Sequence, residues 1–168
     1  MLKKVIHWNN FKYKDHSYLI ATIDGKIAYL NTGEDAIDDF NYFAKKHNLD
    51  LFEDENLIDL GKSTMSNYFN NKTKLNFEDF YLFGTDFQIK VWRTTFSIPW
   101  GVNISYQELG EKIKKPKSAR AIGSALGANP ILILIPCHRI VAKSRKVNYK
   151  SGPGFKIYLQ KIENGTNT

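Results

Sequence analysis

The chain has 168 residues, enough for one large domain or two small ones, and its hydrophobic share of 42% excludes a disordered polymer. Its purest apolar run, Ile131 to Ile135, is too short to span a bilayer, and the first ten residues lack the apolar stretch of a signal peptide. The net charge of +7 is uneven: residues 1–84 hold 10 Lys/Arg and 13 Asp/Glu, whereas residues 85–168 hold 14 and 4.

A basic half suits a polyanionic partner, most commonly nucleic acid, or a solvated surface with no partner. No membrane partner is expected, and a cytoplasmic location (nucleoid-associated in a bacterium) fits the lone cysteine and the missing export signal.

Residues 17–23 and 26–31 are extended runs flanking Asp24-Gly25, a strong hairpin signal. An amphipathic helix is predicted over 34–47, with Ile37, Phe40, Tyr42, Phe43 and Ala44 on its apolar face. A short helix is expected over 63–71 and a closing strand over 78–83. His7, His16 and His47 lack metal-ligand spacing, so no metal site is predicted.

The second half opens with a predicted helix over 86–97 whose expected N-cap is Asp86, broken by Ile98-Pro99-Trp100-Gly101. Ser105-Tyr106-Gln107-Glu108 matches a capping box, starting a helix that runs to about Lys114. After the turn Lys115-Pro116-Lys117, a second helix is predicted over 118–127. The pair is a helix-turn-helix candidate. Its second helix has an unusual run of small residues: Ala119, Ala121, Gly123, Ser124, Ala125, Gly127 and Ala128. Close helix packing explains such a face, and so does close approach to a narrow surface. Arg120 stands out on it, able to pair with a carboxylate, contact a phosphate or enter a base stack.

Cys137, the single cysteine, lies in Ile135-Pro136-Cys137-His138-Arg139-Ile140. A lone thiol forms neither an internal disulfide nor a thiolate cage. It is either a buried structural group or a nucleophile.

The ordered set Phe87-Gln88-Ile89-Lys90-Val91-Trp92, Ile98-Pro99-Trp100-Gly101, Ser105-Tyr106, Ala119-Arg120-Ala121-Ile122-Gly123, Asn129-Pro130 and Ile135–Ile140 resembles the methylated-DNA–protein-cysteine methyltransferases, which repair O6-alkylguanine. The resemblance covers nearly all of residues 85–163. It implies an α+β fold with two domains. Residues 1–84 would form a small ribonuclease-H-like α/β domain. Residues 85–168 would form a winged-helix-like domain with a helix-turn-helix. It also implies a monomer that takes up an alkyl group from O6-alkylguanine, and from O4-alkylthymine, in double-stranded DNA. The transfer is direct, irreversible and single-turnover, with the nucleotide flipped out and no cofactor.

By the same resemblance Cys137 is the nucleophile and alkyl acceptor, His138 takes its proton through a water, and Glu163 orients the imidazole. Tyr106 donates a proton to guanine N3, and Asn129 is the hinge between recognition helix and active-site turn. Arg120 intercalates, Ala121, Gly123 and Ser124 lie in the minor groove, and Ser105, Lys117 and Arg139 also bind the DNA. Pro136, Ile140, Tyr149, Lys150 and Ser151 form the guanine pocket, where carbonyls of Cys137 and Ile140 accept the exocyclic amine. Where family members commonly read Tyr-Ser-Gly-Gly, this chain reads Tyr149-Lys150-Ser151-Gly152-Pro153-Gly154. Its oxygen-contacting serine therefore corresponds to Lys150 by register or to Ser151 by residue type. Two readings from other classes remain: a lesion-binding relative without transfer, and a helix-turn-helix regulator with an inert thiol.

Overall fold

The computed structural model describes residues 2–143 and 149–165. The chain divides into two compact units, Met1–Phe83 and Gly84–Thr168.

The first unit is a four-stranded sheet with helices. Strands β1 (Val5–Tyr13), β2 (His16–Ile23) and β3 (Lys26–Thr32) form an antiparallel meander, and β4 (Asp50–Glu53) pairs parallel to β1, giving the order β3-β2-β1-β4. The β2–β3 turn has Asp24 and Gly25 at φ 50° and 76°, the double positive φ of a tight hairpin turn. Helix α1 (Ala36–Lys46) buries Phe40 and Ala44 against Ile6, Leu19, Ala21 and Tyr29.

Helix α2 (Asn56–Phe69) begins well before the predicted 63. Its buried stripe is Leu57, Gly61, Thr64, Met65 and Tyr68. Gly61 is required there, because a Cβ would collide with the Phe11 ring. Residues 78–83 are not a strand. Phe77–Asp79 form a 3-10 turn, and an isolated bridge between Ile27 and Phe80 joins the end of that turn to the sheet.

The second unit is mostly helical: α3 (Asp86–Phe96), α4 (Tyr106–Lys112), α5 (Ala119–Gly127) and α6 (Pro153–Glu163). The N-cap of α3 is Thr85 rather than Asp86, because Thr85 and Gln88 close a reciprocal capping box. The box predicted at Ser105 and Glu108 starts α4. Short β5 (Ile104–Ser105) pairs parallel to β6 (Ile140–Val141), which ties the start of α4 to the segment just after Cys137. The core of this unit includes Val91, Trp92, Leu109, Ile113, Ile122, Ile131, Ile135 and Leu159.

Candidate active site

The segment 129–140 folds as linked tight turns. Asn129 is fully buried and staples them: Oδ1 accepts from Ile131 N at 3.0 Å, and Nδ2 donates to Ile135 O at 2.9 Å and Cys137 Sγ at 3.3 Å. Leu134 N donates to Leu132 O at 2.8 Å across Ile133, whose φ is 73°. A β-branched residue in that region is strained by about 1–3 kcal/mol. Pro136 sits at φ −81° and ψ 64°, an inverse γ-turn closed by Cys137 N on Ile135 O at 2.8 Å. Cys137–Arg139 then make one 3-10 turn.

Helix α6 fastens that turn from the other side. Lys156 Nζ donates to Ile140 O at 2.7 Å, Gln160 Nε2 to His138 O at 2.9 Å, and the Glu163 carboxylate meets His138 Nε2 at 2.7 Å. Arg139 adds Nε and Nη2 to Glu163 and Nη1 to Ile98 O. Gly101, at φ 76°, allows the Ile98–Gly101 turn close to the end of α6, since a Cβ there would lie 3.2 Å from Glu163 O.

This corrects the expectation for Arg139. It was placed at the DNA surface, but it is buried and its guanidinium is taken up by Glu163 and Ile98. The planar guanidinium stabilises the buried carboxylate beside the imidazole with matched geometry.

Electrostatics follow from the packing. Burial works against the Glu163 charge, but hydrogen bonds from His138 and Arg139 prevail and hold its carboxyl down to about 2. An ionised carboxylate only accepts, so His138 Nε2 carries the hydrogen and Nδ1 keeps the lone pair of the neutral ring. Burial pushes the imidazole toward neutrality despite Glu163. The Cys137 thiol is pushed up by burial, opposed by the Asn129 N–H and the charges of Lys156 and Lys150. At rest the site therefore holds a neutral thiol near a neutral imidazole. Burial also pushes Lys156 down, and Cys137 opposes that shift.

Lys156 was missed in the sequence, where it reads as one more solvated basic residue. A helical reading would have found it: Lys156, Leu159 and Glu163 share one stripe of α6 and all three are buried.

Cys137 opens into a cavity of about 380 Å³ lined by Tyr106, Gly123, Leu126, Gly127, Leu132, Tyr149, Lys150, Pro153 and Lys156. That volume is in the range of small-molecule sites. Burial, and then Cys137, raise the Tyr106 phenol pKa, keeping its proton available for donation. Tyr149 to Gly152 is a turn closed by Gly152 N on Tyr149 O at 3.0 Å, with Gly152 at φ 94°. Of the two serine candidates, Lys150 lines the cavity and Ser151 does not. Pro153 is the first residue of α6, where its missing N–H costs no helical bond. Pro136 and Ile140, expected in the guanine pocket, are buried at the two ends of the Cys137–Arg139 turn and are not among the residues that line the cavity. The carbonyls of Cys137 and Ile140 already accept Ile140 N and Lys156 Nζ, so a guanine amine would use their second lone pairs.

Outside the cavity, Arg120, Ala121, Ser124 and Lys117 are exposed, whereas Gly123, which lines it, is half-buried. Ser105 is half-buried, its oxygen accepting Glu108 N, which leaves the hydroxyl hydrogen to donate. Among the described residues no group of His, Cys, Asp and Glu could hold a metal ion, and no helix is long and apolar enough to cross a membrane.

Residues 86–165 match the family described as 6-O-methylguanine DNA methyltransferase, DNA binding domain. The chain is 30% identical over 164 residues to the inducible methylated-DNA–protein-cysteine methyltransferase of Bacillus subtilis, covering 96% of this chain and 92% of that one. The chain belongs to the methylated-DNA–protein-cysteine methyltransferase family. The fold agrees. The crystal structure of the Mycobacterium tuberculosis O6-methylguanine methyltransferase matches with a TM-score of 0.80 at 27% identity, covering 98% of this chain and 96% of that one. The same organism's protein in complex with DNA matches at 0.76 and 27% identity, over 95% and 94% of the two chains. The expected α+β fold of the methyltransferase family is therefore the fold of this chain.

Proposed function

We propose that this chain repairs DNA by moving an alkyl group from guanine O6 to Sγ of Cys137, once per molecule and without a cofactor. The observation that carries the reading is a buried thiol at a base-sized cavity, in the same short turn as an imidazole locked to an ionised carboxylate. That is the arrangement of an activated nucleophile with its base and orienting group.

The geometry supports the following steps. His138 Nδ1 accepts the thiol proton through a water, and Glu163 and Arg139 hold the imidazole in the right tautomer. The charge on Lys156 favours the thiolate. Sulfur forms its bond to the alkyl carbon as the carbon–O6 bond breaks, and the electron pair stays on guanine. Tyr106 donates its proton to guanine N3. The proton lost by sulfur replaces it, so the products are a thioether and neutral guanine. A thioether is not displaced by water, which makes the transfer irreversible. The same displacement serves O4-alkylthymine.

A stacked base cannot reach the cavity, so the nucleotide must flip out at a cost of about a few kcal/mol. In this reading α4 and α5 are the helix-turn-helix. Ala121, Gly123 and Ser124 approach the minor groove, Arg120 fills the vacated stack, and Ser105 and Lys117 contact phosphates. Residues 85–168 carry both DNA binding and transfer, and the protein acts as a cytoplasmic monomer. The test is the stoichiometry of labelled methyl transfer from O6-methylguanine duplex DNA. It should plateau at one methyl per protein, and Cys137→Ser should transfer none while still binding the duplex. Tight lesion binding by the unaltered chain with no transfer would overturn the proposal.

A further inference from the structure

Gly123 and Gly127 lie four residues apart on α5, on one face, and both line the cavity that contains Cys137. Gly123 lies inside the helix, where glycine is destabilising relative to alanine, and Gly127 is its last residue, so each invites a reason. Backbone conformation is not the reason, since neither has a positive φ. Packing is not the reason either. At Gly110, by contrast, a Cβ would lie 2.9 Å from the Lys115 carbonyl oxygen, and glycine is needed. At Gly127 a Cβ would meet nothing within 4 Å, and at Gly123 only a Tyr106 ring carbon at 3.8 Å, an ordinary contact. What the two glycines preserve is room.

The lining is divided by chemistry. Tyr106, Tyr149, Lys150 and Lys156 bring the polar groups, and Leu126 and Leu132 bring the apolar ones, with Gly127 exposed beside them at the rim. Among the lining side chains, a purine edge finds hydrogen-bond partners in Tyr106, Tyr149, Lys150 and Lys156. The carbon on its O6 must meet Sγ, so the rest of a larger substituent needs open space elsewhere in the cavity, part of which Gly127 leaves. We infer that Gly127 is a specificity-determining residue: its missing side chain leaves the apolar rim open to O6 substituents larger than methyl, up to an aromatic group such as benzyl. This rests on the transfer to Cys137 proposed above. Close approach of DNA to the exposed face of α5 is the competing use of the same space.

Single-turnover rates decide between them, for the unaltered chain, Gly127→Ala and Gly127→Leu. The substrates are O6-methylguanine duplex, O6-benzylguanine duplex and free O6-benzylguanine. The ratio of benzyl to methyl transfer in duplex DNA should fall with side-chain size, by about tenfold or more in Gly127→Leu, as misfit in an apolar pocket does. Reaction with the free benzylated base should fall alongside it. Gly127→Ala should melt no lower than the unaltered chain, and it carries the trend if Gly127→Leu folds poorly. A constant ratio overturns the inference. So does a loss on both duplexes that spares the free base, which would assign the space to DNA. An unaltered chain that transfers methyl but not benzyl also overturns it while leaving the proposed function standing. One that transfers neither overturns both.

Discussion

Glu163→Gln keeps the shape of the side chain and removes its charge. In the native fold that charge accepts hydrogen bonds from His138 Nε2 and from Nε and Nη2 of Arg139, all buried. Burial alone would raise the carboxyl, yet these donors hold it from 4.5 down to about 2. At about 1.4 kcal/mol per pH unit, the ionised form is favoured by on the order of 3 kcal/mol. A depressed carboxyl stabilises the fold fully above its unfolded value, and the contribution is lost as pH falls from about 4.5 through about 2. The variant also leaves Arg139 as a buried cation facing a neutral amide, and breaking a buried pair costs about 3–5 kcal/mol. Urea unfolding at pH 7 should therefore show Glu163→Gln less stable by about 3 kcal/mol, with the gap narrowing between pH 4.5 and 2. Adding Arg139→Met should recover part of the loss, because an apolar replacement leaves no orphaned charge. Alkyl transfer should slow far more than DNA binding, since the imidazole loses its orienting anion. Equal unfolding midpoints at pH 7, or a gap that stays constant down to pH 2, would mean that the Glu163 charge does not stabilise the fold.

Arg120→Ala should slow repair of duplex DNA while sparing reaction with free O6-benzylguanine, measured as single-turnover rates; equal losses on both would remove the flipping role. Lys156→Met should shift the rate–pH profile of Cys137 alkylation to higher pH, because the lysine charge pulls the thiol pKa down; an unmoved profile would leave Lys156 a structural clamp on Ile140. Asn129→Ala leaves Ile131 N without its side-chain acceptor and Ile135 O without one of its donors. Calorimetry should show a loss of about 2 kcal/mol or more, since an unmade buried hydrogen bond costs roughly that much. A loss below about 0.5 kcal/mol would mean the turn does not depend on the staple.

Local signals in the sequence were reliable where they were chemically complete. Asp24-Gly25 and the Ser105–Glu108 box each contain every group their motif needs, and the fold uses both. Strand β1 was invisible because Asn9 and Asn10 interrupt its apolar alternation; Asn9 is buried by donating to Asp54 O, a partner 45 residues away. Strand β4 is exposed at all four positions, so no pattern marks it. The start of α2 was hidden by Gly61 and Thr64, buried residues that do not read as apolar. At the site, the Cys137–His138 pair and distant Glu163 were legible only together with the whole motif. Arg139 was expected at the DNA and Lys156 drew no reading; the burial of each depends on partners that folding brings in, Glu163 and Ile98 for the one and Ile140 for the other.

In the proposed mechanism Cys137 is a consumed alkyl acceptor. Peptide mass spectrometry after incubation with excess O6-methylguanine duplex DNA tests it most directly. The expected result is a single methyl group, on the sulfur of Cys137, with guanine restored in the DNA. An unmodified Cys137 under saturating substrate, or a methyl group on any other residue, would contradict it.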